Sequence, residues 1–225
     1  MIQKLKKIFG LTAEKGTISK KKIAKYLPEN PIIFEAGASN GIDSLELCKQ
    51  FPKGHIHAFE PIPAVFAELK KRVEGQQNIS LYPIALDGKN GVTTMYLSGD
   101  SDDTRSSSSL LKPKEHINFH EHIPFEEELS VPVKTIDTWA AENGVTQIDF
   151  MWLDMQGNEL TALKAAPNIL KTVKVIYTEV SLIETYEEVP LYEDYKKWLV
   201  SQGFKVTIEA LAWEDMGNVL FVREN

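Results

Sequence analysis

The chain has 225 residues, of which 43% are hydrophobic and 25% charged, so it can bury one sizeable core and is most simply a single domain with a short extension. Its net charge of −7 opposes binding to nucleic acid, and its single cysteine, Cys48, excludes an internal disulfide. No apolar run approaches the roughly 18 residues that span a bilayer, and the N-terminus lacks an apolar stretch followed by a cleavage site. We therefore expect a soluble, cytoplasmic, globular protein.

The sequence pattern of residues 1–30 predicts an N-terminal helical extension. Residues 1–9 place apolar side chains on one helical face and lysines elsewhere. Such a helix suits packing against the domain, which we favour, and would also suit peripheral contact with an anionic membrane surface. Ser19 can cap a second helix, which Pro28 ends.

Residues 31–43, PIIFEAGASNGID, predict a strand, a glycine-containing turn and a helix. Gly37 and Gly41 let a ligand approach the backbone, and the helix N-terminus offers unpaired N–H groups. The dinucleotide pattern G-x-G-x-x-G would require glycine at Ser39 and Ile42, and a phosphate-binding P-loop would require a Gly-Lys-Ser/Thr ending, whereas no lysine lies between Pro31 and Leu47. The remaining pattern, E-x-G-x-x-x-G, is that of S-adenosylmethionine-dependent methyltransferases.

After this turn, apolar strands alternate with helix-periodic segments, which predicts an α/β fold with a doubly wound, mostly parallel sheet and helices on both faces. The predicted strands are residues 32–35, 55–60, 79–86 (interrupted by Pro83), 148–155 and 173–180, followed by an antiparallel final pair at 205–211 and 218–222. Ligands of such sheets bind outside the carboxyl ends of the strands. Acids occupy four of those ends, namely Glu35, Glu60, Asp154 and Glu179.

These strand ends define the candidate cofactor site. We expect Glu60 to accept hydrogen bonds from both ribose hydroxyls of a nucleoside. Glu35 either contacts the amino group of the cofactor or holds the loop through its N–H groups, and Asp87 either binds the adenine amino group or only forms an Asp-Gly turn. The complete predicted set is Glu35, Gly37, Ala38, Ser39, Asn40, Gly41, Glu60, Pro61, Ala85, Asp87 and Asp154.

Residues 92–140 interrupt the alternation of strands and helices. They contain a short strand at 92–97, a polar stretch GDSDDTRSSSS, a segment with three histidines and an edge strand at 131–138, since proline suits an edge. A long irregular segment inside a compact domain is usually disordered or a functional lid. We interpret residues 92–140 as a substrate-side insertion in a domain spanning residues 31–225.

Several motifs together resemble the FkbM-type methyltransferase family: FEAGASNG, HAFEP, YPIALDG, VPVKTIDTW and, most specifically, FMWLDMQGNELTALKAA. The resemblance covers about residues 31–222. It implies a seven-stranded, Rossmann-like class I methyltransferase. It also implies methyl transfer from S-adenosylmethionine to an oxygen, commonly a hydroxyl on a sugar, polyketide or related metabolite.

One position departs from the family pattern D-x-E-G-x-E, because Gln156 stands where a glutamate is usual. Gln156 cannot act as a base or carry charge to a metal. Asp154 is therefore the leading candidate for positioning the acceptor or accepting its proton, with Glu159 beside it. His116, His120 and His122 are the alternative bases, and we place His120 with Asp154 and Glu159 in the candidate catalytic set.

The prediction is thus a methyltransferase that modifies a hydroxyl on a small molecule or a glycan. A metal site made from Asp154, Glu159 and the histidines is a minor alternative without recognisable ligand spacing. A non-catalytic binding or scaffold protein of this fold is the rival function. An NAD-dependent oxidoreductase is disfavoured by the failed glycine pattern. The sequence does not determine the acceptor or the oligomeric state.

Overall fold

The fold is taken from a computed structural model that describes residues 16–99 and 102–224, with only the backbone of 102–104. Within these residues the strands are β1 (Ile32–Ala36), β2 (His55–Phe59), β3 (Ile79–Tyr82), β4 (Ala85–Leu86), β5 (Gly91–Leu97), β6 (Glu127–Lys134), β7 (Phe150–Leu153), β8 (Val175–Ser181), β9 (Phe204–Ala210) and β10 (Met216–Arg223). The segment at residues 1–9, predicted to be a helix, lies outside the described residues.

Short helices connect most of these strands. The described α-helices are α1 (Lys20–Ile23), α2 (Ile42–Gln50), α3 (Pro63–Arg72), α4 (His116–Phe119), α5 (Ile136–Glu142), α6 (Glu159–Lys164) and α7 (Tyr192–Ser201), and 3-10 turns occupy Ala24–Tyr26, Asp102–Ser107 and Ile169–Thr172. None of the helices in the described ranges has the length and apolar character needed to cross a bilayer.

Seven strands form the central sheet in the order β3-β2-β1-β7-β8-β10-β9. Strands β1, β2, β3, β7 and β8 are parallel, whereas β10 is antiparallel to both β8 and β9. The predicted fold class is therefore confirmed. The chain passes outward from β1 to β3 and then returns to place β7 on the other side of β1, so strand order reverses between β1 and β7. A crevice at such a reversal is where open α/β sheets bind ligands.

Helices cover both faces of this sheet because its strands are apolar on both faces. On one face, Phe34 and Leu153 pack with Trp139 of α5 and with α6 and α7. On the other face, Ile33 packs with Leu47 of α2 and with α1 and α3. Successive strand residues thus point to opposite layers, as strand geometry requires.

A second, three-stranded sheet has the order β4-β6-β5. The predicted strand at residues 79–86 is in fact two strands, because Pro83 separates β3 in the large sheet from β4 in the small one. The predicted edge strand is also wrong, since β6 lies between β4 and β5. Pro132 is tolerated there because β4 pairs only with Val133 and Lys134, which leaves that side of the strand open at position 132.

Candidate active site

A cavity of about 300 Å³ opens at the carboxyl ends of β1, β2 and β7. The small sheet and residues 105–110 form its opposite wall. Eight residues of the predicted cofactor set line this cavity, namely Gly37, Ala38, Ser39, Asn40, Glu60, Pro61, Ala85 and Asp154. The structure therefore brings together side chains from three separate strand ends. Their functional roles remain predictions.

Gly37, directly after β1, lies against the backbone of Asp154, directly after β7. Its φ is +81°, and a Cβ atom built on it would lie 1.8 Å from the carbonyl oxygen of Asp154. The N–H groups of Gly37 and Ala38 both donate to the carbonyl of Phe59, at 3.2 and 2.9 Å. Only glycine fits this position, because both the backbone conformation and the space exclude a side chain.

Replacing Gly37 with alanine is expected to lower the free energy of unfolding by about 3 kcal/mol or more, since the strain and the clash with backbone must both be relieved. Gly75→Ala is the matched control: Gly75 has φ +85° but nothing within 4 Å of its Cβ position. We expect the control to lose only about 1 kcal/mol in urea unfolding. Equal losses in the two variants would contradict the close approach.

Glu60 is held rigidly at the edge of the cavity. It is 5% exposed, and its two carboxylate oxygens accept hydrogen bonds from the backbone N–H groups of Ser39 (3.1 Å) and Ile62 (2.8 Å). Burial raises the pKa of Glu60 to about 7, and the two backbone donors partly offset that effect. Each oxygen retains a lone pair, so the carboxyl group can still accept from hydroxyls of a bound ligand.

Three predicted cofactor residues do not line the cavity. Glu35 is fully buried next to the glycine turn. The hydroxyl of Ser44 donates to one of its carboxyl oxygens at 2.6 Å, and the other oxygen has no hydrogen-bond partner. Burial raises the pKa of Glu35 to about 8. Gly41 occupies the N-cap of α2 with φ +83°. The carboxylate of Asp87 accepts from the N–H of Gly88 at 2.7 Å, within the Asp-Gly turn, and from the side-chain amide of Asn158 at 3.4 Å.

The other two catalytic candidates also lie outside the cavity wall. Glu159 is buried, accepts from the N–H of Met155 at 2.6 Å, and has a pKa raised to about 7 by burial. His120 bonds to Asp215 at 2.8 Å, in the turn between β9 and β10. Among the described residues, no group of three or more His, Cys, Asp or Glu side chains is arranged to bind a metal ion.

Asp154 belongs to a hydrogen-bonded cluster centred on Gln156. The Gln156 amide nitrogen donates to Asp154 at 2.7 Å and to Glu179 at 2.8 Å. Burial, with Asp43 adding to it, raises the pKa of Asp154 to about 6, whereas the Gln156 amide lowers it. Burial and then the Asp154 charge raise the pKa of Glu179 well above its ordinary value. At neutral pH Asp154 is therefore the more ionised of the two.

The serine stretch forms a folded wall of the cavity. Arg105 binds both carboxylate oxygens of Glu127 at 3.1 Å and donates to the carbonyls of Ser98 and Gly99. These bonds fix the chain so that Arg105, Ser106 and Ser108 line the cavity.

Sequence reasoning did not assign the remaining wall residues to the site. They comprise the apolar Ala36, Ile42, Phe59, Ile62, Val65, Ile84, Leu86, Met95, Leu110 and Met155, and the polar Asp43, Arg105, Ser106, Ser108, Gln156 and Asn158. Most of them adjoin predicted strand ends, so chain proximity could have identified them. Met95 does not adjoin a predicted strand end of the central sheet, and only the small sheet brings it to the cavity.

The chain is similar in sequence to known methyltransferases. A sequence model of the FkbM methyltransferase domain matches residues 35–206. The 2-O-methyltransferase NoeI of Sinorhizobium fredii is 30% identical over 166 residues, which cover 72% of this chain and 68% of that protein. The methyltransferase sdnD of Sordaria araneosa is 22% identical over 215 residues, covering 83% of this chain and 78% of that protein.

Solved structures share the fold. Methyltransferase FkbM from Methylobacillus flagellatus matches with a TM-score of 0.59 at 12% identity, covering 95% of this chain and 49% of that chain. Fibrillarin from Aeropyrum pernix, solved with natively bound S-adenosyl-L-methionine, matches with a TM-score of 0.50 at 15% identity, covering 92% and 71% of the two chains.

Proposed function

Because the chain belongs to the FkbM family of S-adenosylmethionine-dependent methyltransferases, we propose that it methylates the oxygen of a hydroxyl group on a small molecule or a glycan. The observation that carries this proposal is the cavity at the β1–β7 reversal, where a partly buried carboxylate, Asp154, lies across from the glycine turn. The printed activity of NoeI, a 2-O-methyltransferase, supports oxygen as the acceptor atom.

The residues of the cavity fit the cofactor. Phe59, Ile62 and Leu86 supply apolar surface for a base, and Glu60 offers carboxylate oxygens to ribose hydroxyls. Asp43 and Asp154 suit the cationic end of the molecule. When bound, S-adenosylmethionine supplies an electrophilic methyl group on a sulfonium ion.

We assign Asp154 the task of orienting the acceptor hydroxyl and accepting its proton as the new oxygen–carbon bond forms. A positioned carboxylate that is ionised near neutral pH serves both purposes. Ser106, Ser108 and Asn158 also line the cavity and carry donors and acceptors suited to a polyhydroxylated acceptor. We further propose that residues 92–140, within a domain spanning 31–225, select the acceptor.

The test is transfer of label from S-[methyl-13C]adenosylmethionine to a panel of methyl glycosides, aliphatic amines and carboxylic acids, followed by NMR of the products. The proposal expects a 13C resonance at the shift of an oxygen-bound methyl ether. Label found only in N-methyl groups or methyl esters would contradict it.

A further inference from the structure

Both polar atoms of the Gln156 side chain and its backbone oxygen have hydrogen-bond partners. Its two amide N–H bonds reach Asp154 at 2.7 Å and Glu179 at 2.8 Å. Its amide oxygen accepts from the hydroxyl of Tyr186 at 2.9 Å, and its backbone oxygen accepts from the hydroxyl of Ser109 at 2.7 Å. The Tyr186 donor fixes the amide orientation, so the nitrogen must face the two carboxyl groups.

The backbone of Gln156 adopts a strained conformation at the position where these contacts form. Its φ is +53°, a left-handed conformation that residues other than glycine rarely adopt, and it is 8% exposed. Gly157, with φ +102°, follows it, and Val189, Leu111 and Tyr186 leave no room for a Cβ there. Strain of this kind persists where the surrounding structure imposes it, often at functional sites.

The groups that face the Asp154–Glu179 pair are mostly acidic or neutral. They are Asp43 of α2, Glu159 of α6, Tyr177 of β8, Tyr186 from the segment before α7 and Asp215 before β10. His120 bonds to Asp215, and Lys20 pairs with Asp43. Within the described residues, no lysine or arginine forms an ion pair with Asp154 or Glu179. In such surroundings the charge of Asp154 raises the pKa of Glu179, because like charges at short range repel, so a single negative charge on the two groups is favoured at neutral pH.

We propose that Gln156 is a positioning residue whose amide group holds Asp154 and Glu179 as a pair carrying one negative charge, with that charge at Asp154, on the cavity wall. Asp154 lines the cavity, whereas Glu179, which accepts from the same amide nitrogen, is not among the lining residues. The charge is therefore presented where the positively charged sulfur of the cofactor and the acceptor hydroxyl must meet. This inference rests on the proposed role of Asp154.

A negative charge on Asp154 should make the protein bind S-adenosylmethionine more tightly than S-adenosylhomocysteine, by a factor that depends on pH. S-Adenosylmethionine carries a positive sulfur and S-adenosylhomocysteine does not, so the ratio of their dissociation constants reports the charge of Asp154. Isothermal titration calorimetry without any acceptor, from pH 5 to 8.5, measures this ratio. In the wild-type protein we expect the preference for S-adenosylmethionine to increase with a midpoint near pH 6, where Asp154 ionises.

Two variants test this midpoint. Gln156→Met keeps the approximate length of the side chain but removes both donors, so the midpoint rises by about one pH unit and the preference at pH 7 falls about twofold. Glu179→Gln replaces a carboxyl group that is neutral in the proposed pair with a neutral amide of the same shape, so the midpoint stays close to that of the wild type. A midpoint that falls in Glu179→Gln would instead place negative charge on Glu179 in the wild type.

Gln147→Met is the matched control, because Gln147 donates to Asp149 at 2.9 Å just before β7, away from the cavity. Its midpoint should equal that of the wild type. A wild-type ratio that does not change with pH would overturn the inference, as would a Gln156→Met midpoint equal to that of the wild type or a Glu179→Gln midpoint that falls. If Gln156→Met fails to fold, the Glu179→Gln midpoint decides. Loss of acceptor methylation alone would instead contradict the proposed function, because this measurement uses no acceptor.

Discussion

Replacing Asp154 with asparagine is expected to lower kcat for methyl transfer by about 10²- to 10⁴-fold, the range for loss of a positioned general base. Asparagine preserves the shape of the side chain and can still accept the hydrogen bond from Gln156. The fold should therefore stay intact. The affinity for S-adenosylhomocysteine should stay within about twofold of the wild-type value, because the substitution removes a proton acceptor and the sulfur of this product carries no charge. Release of S-adenosylhomocysteine under saturating substrate measures kcat.

Asp194→Asn provides the matched control, since Asp194 is exposed on α7 and the charge change is identical. It should retain wild-type turnover. His120→Gln tests the alternative base in the same assay. The Asp154 assignment would be wrong if the His120 variant lost more activity than the Asp154 variant.

Replacing Glu60 with alanine is expected to weaken binding of S-adenosylhomocysteine by about 1.5 to 3 kcal/mol, the usual cost of losing hydrogen bonds to a charged group. Calorimetry at pH 8 is suitable, because burial raises the pKa of Glu60 to about 7 and the group is then mostly ionised. Glu74→Ala, an exposed glutamate that follows α3, should bind with wild-type affinity.

The Glu60 variant also loses the acceptor for the N–H groups of Ser39 and Ile62, so the glycine turn could shift. A 2′-deoxy analogue of S-adenosylhomocysteine separates the two effects. The wild type should discriminate against this analogue, and Glu60→Ala should lose that discrimination. Equal discrimination by both proteins would remove the ribose assignment of Glu60 even if the overall affinity fell.

Much of the central sheet could be predicted because its determinants are local. The apolar runs that form β1, β2, β7 and β8 are short and bounded by turns, and the acids and glycines at their ends mark where a ligand approaches. The failed dinucleotide spacing at Ser39 and Ile42 then narrowed the class of cofactor. These features required no knowledge of long-range contacts.

The small sheet could not be predicted for the opposite reason. The split at Pro83 looks in the sequence like one interrupted strand, and only the parallel pairing of Ala85 with Val133 reveals that β4 has joined another sheet. That pairing joins residues 48 positions apart (133 − 85 = 48), and no local pattern encodes it. The contribution of Met95 to the cavity follows from the same pairing.

The catalytic candidates differ in the same respect, namely whether the position of each follows from the local sequence or from a long-range contact. Asp154 follows β7 directly, so its place at the cavity was predictable. His120 was a candidate by residue type alone, and its bond to Asp215 joins two segments that the sequence does not relate. Gln156 was noticed only as a departure from a pattern, whereas the structure places it between two carboxyl groups.

A crystal structure of the protein with S-adenosylhomocysteine bound would show directly whether the cofactor occupies the cavity at the β1–β7 reversal. We expect the nucleoside in the cavity beside Gly37, with the Glu60 carboxylate within hydrogen-bond distance of the ribose hydroxyls. It also predicts that Asp154 faces the side of the sulfur from which the methyl group has left. A nucleoside bound elsewhere, or Asp154 turned away from the sulfur while other side chains surround the vacated position, would contradict it.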